Sequence, residues 1–151
     1  MSVQRTFEEE IEKSGFIVYT TRGTSMNPLI HEKSDLSTIS RVPEGGPKKY
    51  DVLLYKVNGK YILHRLIRIK KDGSYIVLGD NRTKVETYVK DDMIIGVLTG
   101  LIRKGKTVDL NGFKYKAYVH LWCDCYHVRI FCLKMRNKLR YYKKKLTNRQ
   151  K

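Results

Sequence analysis

Two tight-turn dipeptides, Asn58-Gly59 and Asp72-Gly73, constrain this chain more than any other feature. The first separates the apolar-rich runs Tyr50–Val57 and Lys60–Lys70, and the second separates Lys60–Lys70 from Ser74–Leu78. Asn-Gly and Asp-Gly supply the left-handed backbone angles that two-residue β-hairpins demand. Two such turns in succession predict an antiparallel meander, and with it a mainly β fold. Eleven glycines and three prolines among many Val, Ile and Tyr agree with that class rather than with a helical bundle. At 151 residues the chain has one domain's length. Such a chain buries roughly two thirds of its unfolded surface, enough for a core without metal or disulfide help.

Other elements follow from local signals. Thr6 with Glu9 reads as a capping box and Gly15 as a stop, which predicts a short helix over Phe7–Ser14. Phe16–Tyr19 and Leu36–Val42 read as strands, with a loop at Pro43–Pro47. Met93–Arg103 is a further strand, expected to break near Gly96 or Gly100. Asn111-Gly112 repeats the hairpin signal between Thr107–Leu110 and Phe113 onward. From about Ala117 the pattern turns helical and then becomes a charge run ending at Arg149-Gln150-Lys151.

Charge is unevenly spread. From Phe113 to Lys151 there are twelve Lys or Arg against the single Asp124, so this stretch carries +11 of the net +16. With Tyr118, Trp122, Tyr126 and Phe131 beside those cations, the tail suits peripheral contact with an anionic membrane. Nucleic acid is the other anionic partner to weigh, but no recognition motif accompanies the charge. No run reaches the ~18 unbroken apolar residues of a membrane span. The N-terminus lacks a basic leader followed by an apolar block, so no signal peptide is expected. The expected location is therefore a membrane surface or the cytoplasm. Cys123, Cys125 and Cys132 all lie in the tail, and the odd count argues against a disulfide framework. Cys-x-Cys near His120 and His127 is not structural-zinc spacing, so these cysteines read as small apolar fillers and no metal is expected.

Three polar residues close apolar stretches: Ser25 in Gly23-Thr24-Ser25-Met26-Asn27-Pro28, His64 after Ile62-Leu63, and Asp80 in Gly79-Asp80-Asn81. They are a hydroxyl, a base and a carboxylate, the three parts of an activated nucleophile. In an ideal two-residue hairpin at Asp72-Gly73, Arg65 faces Asp80 and His64 faces Asn81. Directly opposed residues share a face, so strict pairing makes Asn81 the imidazole's neighbour. A bulge at Gly79 would shift the faces by one and deliver Asp80 instead. Asp80 is the expected orienter and Asn81 the alternative.

The Ser-Met-x-Pro box, the Tyr50–Tyr55 strand, His64-Arg65 and Gly79-Asp80-Asn81 occur in the order and at the separations of the boxes of type I signal peptidases, which this chain resembles over roughly residues 19–101. Histidine at the base position makes it similar to the endoplasmic-reticulum, archaeal and sporulation-type branch. The resemblance implies an antiparallel β fold shared with the self-cleaving SOS repressors. Residues 1–112 would then form the catalytic domain, and 113–151 a basic, aromatic-rich helical tail. It implies a serine endopeptidase that cleaves signal or leader peptides after small residues, with no cofactor. Ser25 is then nucleophile, His64 general base and Asp80 orienter, while Gly23, Thr24, Met26, Ile62 and Leu63 form the oxyanion and substrate-binding surface.

The chain departs from the family in lacking its N-terminal membrane helix and in carrying Gly23 where bacterial relatives place a hydroxyl. It also offers Glu86, then Asp91-Asp92, where relatives carry a second aspartate. Two other readings are a basic nucleic-acid-binding protein without protease activity and a self-cleaving repressor-type domain. The repressor type should carry lysine as base and a cleavable upstream linker, and neither is present.

Overall fold

A computed structural model describes residues 5–147, so the end of the basic run at Arg149–Lys151 lies outside the described residues. Helix α1 spans Phe7–Ser14 and starts with the full capping box: Thr6 Oγ accepts from the Glu9 amide and Glu9 from the Thr6 amide. Gly15 ends it in the left-handed conformation. Ile11 is its buried residue, set among Ile17, Met26, Ile30, Ile39 and Leu54.

Eight strands form one antiparallel sheet: β1 Phe16–Thr20, β2 Asp35–Ser40, β3 Val52–Val57, β4 Lys60–Ile69, β5 Tyr75–Leu78, β6 Glu86–Val89, β7 Ile94–Arg103 and β8 Lys106–Thr107. Their order is β1-β2-β7-β3-β4-β5-β6, and β8 pairs with β7. The central β3 is buried on both faces. Its Val52 and Leu54 join the cluster beneath α1, while Leu53 and Tyr55 join a second cluster with Leu66, Val77 and Val89. The bulges of β7 fall beside both glycines flagged in the sequence. One lies between the pairs Thr38↔Gly100 and Ile39↔Leu98, the other between Leu54↔Gly96 and Tyr55↔Ile94.

The Asn58-Gly59 hairpin forms as the sequence predicts, with Val57 opposite Lys60 and Leu53 opposite His64. The third hairpin signal is a correction. Lys104-Gly105 turns β7 into β8, and Asn111-Gly112 instead leads into helix α2, Phe113–Cys123. Asp109 decides this, because its Oδ1 accepts the amides of both Asn111 and Gly112 at 2.9 Å and sets up the first turn. The helix thus begins four residues before Ala117. A second helix, α3, runs Tyr126–Thr147. Val119 and Cys123 of α2 pack on Ile67 and Leu78, so this part of the tail covers one face of the sheet. Of the cysteines read as apolar fillers only Cys123 is buried; Cys125 and Cys132 are exposed, and all three are free.

The β1–β2 connection, residues 21–34, carries Ser25. Met26, Leu29 and Ile30 anchor it in the core. Its far end is tied by Arg103, which pairs with the buried Asp35 at 2.7 Å and donates to the Leu29 carbonyl. Burial would raise the Asp35 pKa, but the Arg103 bond and the His31 amide outweigh it and hold the carboxyl down at about 2. A loop fixed this way presents Ser25 from a stable base.

Candidate active site

Ser25, Met26, Leu63, His64 and Glu86 line one open cleft of about 1010 Å³. Two strand edges border it. Strand β1 closes the sheet and pairs only with β2, and β4 pairs with β5 only from Arg65 to Ile69. Among the described residues, Val18–Thr20 of β1 and Tyr61–His64 of β4 therefore face the cleft with backbone groups that no neighbouring strand takes. Among the remaining residues singled out from the sequence, Met26 and Leu63 are buried together in the core below the cleft, and Ile62 packs against the second cluster, beside His64. Thr24 and Gly23 are exposed on the loop. Gly23 has φ +87°, a left-handed angle that a residue with a side chain would adopt only under strain.

His64 is 6 % exposed, and its ring nitrogens have distinct surroundings. Nδ1 lies 3.0 Å from the Tyr55 hydroxyl, which in turn donates a short hydrogen bond to Glu86 Oε2. Tyr55 has one proton, and it goes to the carboxylate. Its oxygen must then accept from Nδ1–H, which leaves the lone pair on Nε2. Burial and Glu86 both push the Tyr55 pKa upward, so this proton stays in place. Glu86 Oε1 stands 3.6 Å from Nδ1, close enough to stabilise an imidazolium. The His64 pKa is lowered, first by burial, against which Glu86 pulls upward. Neutral imidazole is the resting form near pH 7.

Asp80 does not meet the imidazole. It is fully buried and bound by Arg65 in a two-pronged pair, Nε to Oδ1 at 3.0 Å and Nη2 to Oδ2 at 2.7 Å. The Tyr118 hydroxyl adds a bond at 2.7 Å, and Arg129 approaches to 3.7 Å. The face-switching bulge expected at Gly79 does not form. The Asp72 turn holds one residue more than the ideal, with Ile69 opposite Tyr75, and the bulge falls at Ile67, between Leu66 and Arg68, rather than at Gly79. Together they move the pairing by two, so Arg65 faces Leu78 and the line continues with His64 beside Gly79 and Asp80 on the Arg65 face. Gly79 is then required for another reason. A Cβ there would stand 2.8 Å from His64 Nε2, so the absent side chain is the imidazole's space.

Asn81, the alternative orienter, holds the Ser25 loop instead. Its amide donates to the Ser25 carbonyl at 2.8 Å and its side-chain nitrogen to the Thr24 carbonyl at 3.1 Å. Behind it, Arg136 donates to Asn81 Oδ1 at 2.7 Å and the Trp122 indole to the Asp80 carbonyl at 2.9 Å. The two C-terminal helices thus brace the turn that braces Ser25. No hydrogen bond joins Ser25 Oγ to His64 Nε2, although both line the cleft.

Tyr55 could have been found from the sequence. The Asn58-Gly59 register sets it opposite Ile62, diagonal to His64 on the same face. Glu86 could not be placed that way, because it arrives through the pairing Val77↔Glu86 across a loop with no turn signature. Among the described residues no group of three or more His, Cys, Asp or Glu could hold a metal ion. No protein-family model and no curated protein matches this chain.

Proposed function

We propose that this protein is a serine endopeptidase of signal-peptidase type that cleaves signal or leader peptides after small residues. One observation carries the reading: a half-buried serine and an imidazole with a fixed tautomer share a cleft between two unpaired strand edges. A peptide laid in the cleft as an extended strand would find backbone partners on β1 and β4, the usual way a sheet edge captures a chain. Met26 and Leu63 would floor the small-residue pockets.

The chemistry runs as follows in this reading. Ser25 Oγ attacks the scissile carbonyl carbon while His64 Nε2 takes the hydroxyl proton. Tyr55 keeps Nδ1–H in position, and Glu86 offsets the charge that forms on the ring. The Ser25 amide, which donates to no protein acceptor among the described residues, would serve the oxyanion. The imidazolium then protonates the departing amine as the C–N bond breaks, and water, activated by the same base, hydrolyses the acyl ester. Glu86, not Asp80, supplies the orienting role in this reading.

A peptide bearing Ala-x-Ala tests this. Turnover should disappear in Ser25→Ala and in His64→Ala, with both variants folded. Undiminished cleavage by either variant would remove the mechanism.

A further inference from the structure

Helix α3 has eight Lys or Arg and no acidic residue in its 22 positions. Its first turns dock through Arg129 and Leu133, but from Lys134 to Thr147 every residue is exposed. Val128, Phe131, Met135, Leu139, Tyr142 and Leu146 recur at steps of three and four, so they fall on one stripe covering about 80° of the helix. All six are open to solvent, from 42 % for Met135 to 64 % for Phe131. The stripe points away from the face that docks on the sheet. Lys138 and Lys145 flank it on one side, and Lys143 on the other.

Three kinds of occupant differ in what they would satisfy. A second copy would match the apolar spacing, but it would bring eight more cations and no acid against the first. A nucleic acid would neutralise the cations and leave the stripe in water. An anionic bilayer surface takes both: apolar side chains enter the acyl boundary while lysines reach the headgroups. No described helix is long and apolar enough to cross a membrane, so α3 would lie in the plane.

We propose that α3 is an interfacial anchor that docks on anionic lipid. The stripe extends over about 27 Å, five turns of contact. Arg136 lies on this helix and bonds Asn81, whose amide bonds the Ser25 carbonyl. A docked helix would hold the cleft next to the lipid surface. The proposal does not depend on peptidase activity.

Flotation of the full chain with phosphatidylcholine vesicles, with and without phosphatidylserine, tests it. The wild type should float with the anionic vesicles only, and raised salt should weaken this. The pair Phe131→Ser/Leu139→Ser should weaken binding by about tenfold or more, from the loss of two buried apolar side chains. Lys143→Glu/Lys144→Glu/Lys145→Glu should do likewise. Both variants change exposed positions, and an unchanged melting temperature would confirm that they fold. Equal flotation of the wild type and the Phe131→Ser/Leu139→Ser protein would overturn the proposal. So would a dimer abolished by that pair without vesicle binding, or salt-sensitive retention on DNA by a chain that never floats.

Discussion

Exchanging the carboxylates of Asp80 and Glu86 for amides separates the structural role of the first from the catalytic role proposed for the second. Asp80→Asn would leave the Arg65 guanidinium, fully buried, facing a neutral group. Burial penalises a charged Arg65, and Asp80 outweighs that penalty to raise its pKa well above the ordinary value. Breaking a buried pair by removing one partner costs about 3–5 kcal/mol. Against a total stability of about 5–15 kcal/mol this is a large share. For a domain of this size it corresponds to a melting temperature lower by roughly 6–20 °C.

Glu86→Gln should behave differently. Its side chain is partly open, so the melting temperature should move by no more than a few degrees. Peptide turnover should fall on the order of 10²- to 10⁴-fold, because the imidazolium loses its counter-charge and Tyr55 keeps only a neutral acceptor. Thermal unfolding by circular dichroism, with kcat/KM measured well below each transition, reads both effects. An Asp80→Asn protein with wild-type stability and no turnover, beside an active Glu86→Gln protein, would refute the assignment.

Three further outcomes follow from the same geometry. Because burial lowers the His64 pKa, the acid limb of kcat/KM should have its midpoint below about 6.5. Glu86→Gln should push that midpoint lower still, by removing the larger of the two upward influences, Glu86 and Asp80. The same shift acts on stability: the unfolded histidine binds a proton more readily, so this group's contribution is present above about pH 6.5 and is lost as pH falls below that value and through the lower folded-state pKa, readable as a falling melting temperature in acid. Gly79→Ala should displace the imidazole, because its Cβ would sit 2.8 Å from Nε2; turnover should drop by about tenfold or more while substrate affinity changes little. Asn81→Ala should loosen the Ser25 loop and lower kcat by about tenfold, with an unchanged pH midpoint that tells it apart from an orienter.

Local chemistry was legible in this chain wherever a few neighbouring residues settle their own conformation. The capping box at Thr6 and Glu9, the stop at Gly15 and the hairpin at Asn58-Gly59 all form as the residues alone require. The mainly antiparallel sheet with flanking N- and C-terminal helices follows from such signals. Asn111-Gly112 was misread as a hairpin because the dipeptide is compatible with several turns, and Asp109 resolves it into a helix start.

What tertiary structure alone decided was which carboxylate meets which base. Strand side chains alternate, so a register change of one residue reverses every face. The longer Asp72 turn and the Ile67 bulge are settled by how β4 and β5 pack, as Ile67 and Leu78 bury against Val119 and Cys123. The two shifts add to an even number, so the faces of the ideal hairpin survive and Asp80 stays with Arg65, while the pairing of β5 with β6 brings Glu86, from a strand far along the chain, to the ring of His64.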